Sequence, residues 1–357
     1  MHGARLTPAI DAGYCSADDN VVNQADPLTA VRPTMKDVAF SAGVSLKTVS
    51  RVINAEDGVA PATATKVTVA IHELGFERND LARSLRHGRS TATLGLVIED
   101  VANPFYSAVA QAVETAARDH GFLLITASAR EDAARERELI GALLRRRVDA
   151  LLVVPAGPDH QYVSTAARVV FLDRPPRGIQ ADTVLFDNAG GARRAVEHLI
   201  GHGHTRIACV ADAAELYTNH ERLAGYRDAL RAAGLDEDPS LVISGNCDVE
   251  AGQAAVGHLL GLPDKRRPTA IFAANNRNTI GAMRAFAEHD REVALVGFDD
   301  FELADLLGIT VVRADPGRLG EEAASLVFGR LEGDDSPPQR ITIPTELVLR
   351  GSGELAP

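Results

Sequence analysis

Two textures of apolar and polar positions divide the chain. Between about 35 and 74 the apolar residues recur at helical spacing in three short stretches, at about 35–42, 45–53 and 61–74. From Thr93 onward the pattern changes to short continuous apolar runs: T-L-G-L-V-I, F-L-L-I-T-A, A-L-L-V-V-P, V-V-F-L-D, R-I-A-C-V-A, A-I-F-A-A-N and V-A-L-V-G-F-D. Amphipathic stretches alternate with these runs, at Pro104–His120, Ala133–Arg147, Ala189–His202, Glu221–Ala233, Glu250–Leu260 and Asn278–His289. Runs without an internal period of two are what strands buried on both faces look like. Their alternation with helices predicts doubly wound parallel sheets with right-handed crossovers. There are too many runs for one such sheet, so the body is expected to have two lobes. Residues 1–33 show no sustained period and carry Gly, Pro, Asp and Asn throughout. They read as a flexible N-terminal tail, and Met35 could be the native start.

Inside the helical segment, K-D-V-A-F-S-A-G-V-S-L-K-T-V-S-R-V-I-N spans Lys36 to Asn54. Val38, Ala39 and Ala42 put one apolar face on a first helix, and Gly43 supplies a turn. Ser45 is a suitable N-cap for a second helix whose Val49, Val52 and Ile53 face inward. Leu46, Lys47, Thr48, Ser50, Arg51 and Asn54 are left outside or at the end. Two short helices at a steep angle, the second polar and basic outward, suit a helix-turn-helix; a small helical cap with a solvated face has the same pattern.

Charge matters once it is divided. The chain carries a formal net charge of -12. The first 33 residues are net −2, Thr34–Ala92 is net +2, and the remainder is net −12. Only the middle segment is positive, and its last part holds Arg83, Arg86 and Arg89 without an acid. A polyanion would be met there. With 357 residues and 45% hydrophobic content the chain is a multidomain globular protein. No apolar run is long enough to span a bilayer and the N-terminus lacks a secretory pattern. Cys15, Cys209 and Cys247 have no metal spacing, and a reduced cytoplasm is the expected location.

The signature at Lys36–Asn54 resembles the DNA-binding segment of the LacI/GalR (lactose/galactose-repressor-type) bacterial transcription factors. The resemblance continues through A-I-H-E-L-G-F, N-D-L-A-R-S-L, G-L-V-I-E-D-V-A-N-P-F-Y, G-H-G-H-T-R-I-A, E-R-L-A-G-Y, V-G-F-D-D and P-T-E-L-V-L-R. It therefore covers everything but the first 33 residues. It implies a small all-α helix-turn-helix headpiece at 34–78, a hinge helix and linker at 79–92, and a two-lobed periplasmic-binding-protein-like core at 93–357. Within the core, lobe 1 is expected at about 93–187 and 316–341, and lobe 2 at about 188–315 and 342–352. The resemblance also implies a homodimer on a pseudo-palindromic operator in double-stranded DNA.

By matched position, Leu46 and Lys47 fall where the family varies operator readout. Thr48, Ser50, Arg51 and Asn54 match residues that touch phosphates and base edges, and Ser45 opens the helix that carries them. Lys47 and Arg51 can donate to guanine or phosphate, and Leu46 can pack on a thymine methyl. In Asn79–Arg86, which resembles the hinge helix, Leu85 matches the apolar wedge that enters the minor groove, beside Arg83.

Ligands of doubly wound sheets sit beyond the carboxyl ends of strands. Collecting polar and aromatic residues there gives Asn103, Phe105, Tyr106, Asp173, Arg174, Arg222, Asn275 and Asp299. Rings to stack on a sugar, with carboxylates, amides and guanidiniums for its hydroxyls, are the equipment of a monosaccharide site. Each has a plainer role: Asn103 as a helix cap, Phe105 and Tyr106 as core, Arg222 paired with Glu221, Asp299 as a turn residue. As a set they resemble the ribose-binding pattern of periplasmic pentose receptors, with Ala314 in place of a glutamine and Asn276 in place of an aspartate. His198, His202 and His204 are expected to satisfy a helix end, not a metal. There is no phosphate loop, nucleophile elbow or zinc helix, so no catalytic set, metal or cofactor is expected. Two rival functions remain: a sugar receptor without a DNA role, and an α/β enzyme acting on sugars or nucleosides.

Overall fold

The structure, a computed structural model, describes residues 33–53, 56–76, 90–157, 159–161, 163, 168–246 and 248–357. The expected tail at 1–33 lies outside these residues apart from its last position. Asn54, Arg83, Leu85 and most of the expected hinge lie outside them entirely. The chain forms two compact units, dividing at Arg83.

The first unit holds three helices, α1 (Met35–Ala42), α2 (Leu46–Ile53) and α3 (Pro61–Leu74). Thr34 and Asp37 close a capping box around the start of α1, the Thr34 N–H donating to Asp37 Oδ2 at 2.7 Å. These hydrogen bonds from Thr34 hold the Asp37 carboxyl below its usual range. Gly43 ends the helix at φ 65, a left-handed conformation in which a side chain would be strained. Ser45 caps α2, its Oγ accepting from the Thr48 N–H at 3.1 Å. Val38, Ala39, Val49, Val67 and Ala70 make a small core joined by Val52, Ile53 and Phe76. Ala60 gives α3 no side-chain cap; Pro61 at the first helical position fixes the entry instead.

The second unit contains two six-stranded sheets. Lobe 1 is built from β1 (Thr93–Ile98), β2 (Leu123–Ser128), β3 (Ala150–Val153), β4 (Arg168–Leu172), β5 (Asp182–Phe186) and β11 (Arg340–Ile343), in the order β11-β5-β4-β3-β1-β2. Lobe 2 is built from β6 (Ile207–Val210), β7 (Val242–Ile243), β8 (Ala270–Ala273), β9 (Ala294–Phe298), β10 (Thr310–Arg313) and β12 (Glu346–Val348), in the order β12-β10-β9-β8-β6-β7. All ladders are parallel except β10 with β12. The helices are α4 (Pro104–Asp119), α5 (Ala133–Arg145), α6 (Asn188–Gly201), α7 (Tyr217–Ala232), α8 (Val249–Leu260), α9 (Asn276–His289) and α10 (Pro316–Glu332).

The chain passes between lobes three times: from β5 into α6, from β10 into α10, and from β11 into β12. The last passage follows Ile343, so lobe 1 extends two residues past the expected limit near 341; β11 keeps its register with β5 up to the Ile343–Phe186 pair. In each sheet the order reverses beside the first strand, between β1 and β3 and between β6 and β8. These two switch points place the carboxyl ends of β1, β3, β4, β6, β8 and β9 around one crevice. No described helix is long and apolar enough to cross a membrane.

Candidate effector cleft and DNA-binding face

On the first unit, α2 presents Leu46, 43% exposed, and an exposed Lys47 beside half-buried Thr48 and Ser50. The Thr48 hydroxyl is bonded to Ser45 Oγ at 2.8 Å. Arg51 turns back on its own loop: it donates to the Asp57 carbonyl, lies 3.7 Å from Glu56, and runs under Gly58. Of the expected contact residues, the structure thus brings Ser45, Leu46, Lys47, Thr48, Ser50 and Arg51 onto or beside one helix. Asn54, Arg83 and Leu85 fall outside the described residues.

In the second unit every one of the expected effector residues is described. Lobe 1 contributes Asn103, Phe105, Tyr106, Asp173 and Arg174. Asn103 ends the segment after β1 and caps α4, accepting from the Phe105 N–H at 3.2 Å. The plain capping role is therefore real and coexists with a place on the cleft wall. Phe105 and Tyr106 are both buried, meeting edge-on with centroids 5.1 Å apart. The Tyr106 hydroxyl donates to Asp173 Oδ2 at 3.1 Å and receives a longer bond from Arg174 at 3.4 Å. Burial, then the neighbouring Asp173 carboxylate, pushes the Tyr106 phenol well above its usual value, so it stays a donor. Arg174 is buried and held by Glu131, with both terminal nitrogens 2.6 Å from its two oxygens, and by the Pro155 carbonyl at 3.1 Å.

Lobe 2 contributes Arg222, Asn275 and Asp299. Arg222 does not pair with its neighbour Glu221. It reaches from α7 to Asp299 with two bonds of 3.0 and 3.3 Å, to Asn188 Oδ1 at 2.8 Å and to the Ala274 carbonyl at 2.7 Å. Its guanidinium also lies over the Phe298 ring, 3.7 Å from the centroid. Asn275 caps α9 through the Asn278 N–H at 2.8 Å and donates to Asp212 at 2.9 Å. Asp299 is raised above the usual carboxylate range by burial, opposed by Arg222 and reinforced by Asp173 and Asp212.

Asp173 and Asp299 occupy matching positions. Each follows the second strand out from the switch, β4 or β9, at φ 63 and φ 66, and each donates its N–H to a neighbouring strand at 2.9 Å. Two non-glycine residues held in the left-handed region at a crevice are the sort of strain that functional sites retain.

The lobes touch across the cleft. Asn276 donates to Asn103 at 3.0 Å, and Arg277 donates to Glu99 at 3.2 Å and Asp100 at 3.1 Å. Burial lifts the Glu99 carboxyl above its usual value despite Arg277. Arg340 of β11 donates to the Tyr217 hydroxyl of α7 at 3.2 Å.

Sequence reasoning missed Glu131, Asn188, Asp212, Asn219 and the Arg277 pair. Asn219 lies on the first turn of α7, which starts at Tyr217 and not near Glu221; it is 3% exposed and its Oδ1 has no partner. Asp173 Oδ1 is likewise buried without a partner. A strand end followed by an amide or acid was the available signal for Asp212. None marks Glu131 or Asn188, whose value depends on distant arginines. The histidines hold structure: His202 bonds the His198 carbonyl at 2.9 Å, and buried His204 joins Thr269 to the Leu355 carbonyl. Desolvation lowers the pKa of His204. No cluster of metal-binding groups occurs among the described residues.

Two family models match the chain, "Bacterial regulatory proteins, lacI family" over residues 34–79 and "Periplasmic binding protein-like domain" over 196–353. The HTH-type transcriptional regulator CelR of Thermobifida fusca is 36% identical over 340 residues, covering 90% of this chain and 98% of its own. The ribose operon repressor of Escherichia coli K12 is 33% identical, covering 89% and 99%. Among solved structures, the CelR–cellobiose complex aligns with TM-score 0.66 at 34% identity, over 90% of this chain and 100% of the other. The lac repressor dimer bound to operator and anti-inducer aligns with TM-score 0.77 at 26% identity, over 90% and 99%.

Proposed function

The chain belongs to the lacI family of bacterial regulatory proteins and is a DNA-binding transcriptional regulator, not an enzyme; from that premise we propose that it is a repressor whose operator affinity is set by a small sugar held between the two lobes. A homodimer carries two headpieces to a pseudo-palindromic operator, since a two-fold protein reads two-fold DNA. Leu46 and Lys47 supply base-edge contact, Thr48, Ser50 and Asn54 fix register, and Arg51 exchanges its weak, half-exposed pair with Glu56 for a phosphate. Arg83 and Leu85 enter the minor groove, Leu85 as the wedge.

The observation that carries the sugar reading is a set of aromatic, amide and charged groups at strand ends, together with two buried acceptor oxygens that have no partner: Asp173 Oδ1 after β4 and Asn219 Oδ1 on the first turn of α7. A buried acceptor without a donor is unfavourable, and ligand hydroxyls are donors of the right kind. Phe105 and Tyr106 offer faces and edges to a sugar ring. A pentose is the first candidate, since the ribose operon repressor is among the relatives; a cellobiose-binding relative makes larger neutral sugars the next.

Closure across Asn103–Asn276 and Glu99/Asp100–Arg277 is the step that the effector biases. Such coupling is typically about 1–3 kcal/mol and reciprocal: whatever the sugar does to DNA affinity, DNA does to sugar affinity. The test is fluorescence anisotropy of full-length protein on promoter fragments, repeated over a panel of pentoses, hexoses and cellobiose at one fixed salt concentration, because phosphate contacts are salt-sensitive. A shift of at least about fivefold in affinity with one sugar is expected. No shift with any of them would overturn the sugar reading and leave the DNA-binding role standing.

A further inference from the structure

Arg174 and Arg222 are the buried guanidiniums among the described residues, at 6% and 5% exposure. Both are already engaged by carboxylates: Arg222 by Asp299, and Arg174 by Glu131 through two bonds of 2.6 Å. The half-buried Arg277 is engaged by Glu99 and Asp100. Five carboxylates (Glu99, Asp100, Glu131, Asp173 and Asp299) therefore stand against three guanidiniums, and a sixth, Asp212, is held by the Asn275 amide. Asp173 has no cation to itself, because the Arg174 fork faces Glu131 and only Arg174 Nε lies near it, at 3.6 Å.

We infer that Glu131 is a charge filter: by occupying the Arg174 fork it denies that cation to anionic ligands and restricts the cleft to uncharged sugars. This rests on the effector reading above and adds to it the exclusion of sugar phosphates and sugar acids. Glu131 is placed for this by its backbone. It follows β2 in a turn where Arg130 and Glu131 both have positive φ, 55 and 57, immediately before the Asp132 cap of α5. The turn is pinned to the end of β1 by the Arg130 N–H donating to the Glu99 carbonyl at 2.7 Å. With 30% side-chain exposure, Glu131 is the least buried member of the Glu131, Arg174 and Asp173 group, and so the one that solvent reaches most. An arriving phosphate or carboxylate would have to displace it and then sit against Asp173. Like charges placed together discriminate strongly between otherwise similar ligands. Arg340, which donates to the Tyr217 hydroxyl, is exposed, where water and salt screen it.

The experiment is isothermal titration of the full chain with D-ribose, D-ribonate and D-ribose 5-phosphate, on wild type, Glu131→Gln and Glu131→Ala. Wild type is expected to give no binding with either anion. At least one folded Glu131 variant is expected to gain anion affinity by about tenfold or more, a gain removed by adding Arg174→Gln. Anion binding to wild type that depends on Arg174 would overturn the filter. So would two folded Glu131 variants, checked by circular dichroism, that gain nothing with either anion. If ribose gives no heat with any form, the pentose reading fails, while the anion results on the variants still decide the filter.

Discussion

Asp173 and Asp299 follow equivalent strands in the two lobes, share a left-handed backbone and share an N–H bond to the neighbouring strand, yet their side chains live differently. In lobe 2 the carboxylate is answered by its own arginine, both oxygens engaged by Arg222. In lobe 1 the adjacent arginine is turned to Glu131, and one oxygen of Asp173 is left without a partner. The duplicated topology fixes where an acid goes. The partner brought by surrounding helices and turns then decides whether both oxygens of that acid are engaged or one is left without a partner.

The comparison breaks most visibly at Arg222. Arg222→Ala would leave Asp299 buried without its cation and strand Asn188 and the Ala274 carbonyl. A loss of about 3–5 kcal/mol in unfolding free energy by urea denaturation is expected. A loss under about 1 kcal/mol would show that lobe 2 does not lean on this pair. Asp173→Asn should behave in the opposite sense: stability nearly unchanged, and effector affinity down by about 10–100-fold in titration calorimetry, as for a charged hydrogen-bond acceptor lost at a ligand. Equal stability losses from Arg222→Ala and Asp173→Asn would erase the distinction between the lobes.

The smallest effect concerns the contact between lobes. Burial raises the folded-state pKa of Glu99 above its ordinary value. A raised carboxyl favours the folded state when protonated, so its ionisation becomes unfavourable to folding as pH rises from the usual carboxylate range through the folded pKa. Glu99→Gln removes that contribution. The stability of the variant relative to wild type should therefore improve as pH rises through that window and level off above it, measured by denaturation at stepped pH. A flat difference would mean that Arg277 fully offsets the burial of Glu99.

Much of the fold was legible because strands buried on both faces must be apolar along their whole length. The seven runs became β1–β4, β6, β8 and β9. The segments not named as strands were β5, whose run begins on Asp182, and the short pieces β7, β10, β11 and β12. β7, β11 and β12 lie at sheet edges, where one side lacks a neighbouring strand and polar residues are tolerated. The cleft was legible in part for a related reason. In a doubly wound sheet, residues just past strand ends converge whatever their identity, so Asn103, Asp173, Asn275 and Asp299 could be collected from the strand pattern alone.

By itself, then, the sequence determined two things: a positive helical headpiece with a polar recognition helix, and a two-lobed α/β body with a polar crevice. Both follow from local periodicity and from rules of sheet winding. Only the tertiary structure decided which charges meet. Glu131 finds Arg174 across 43 residues, Arg222 finds Asp299 across 77 and Glu99 finds Arg277 across 178. Ion pairing depends on distances of a few ångströms, which the chain acquires only when distant strand ends and helix starts are brought together by folding.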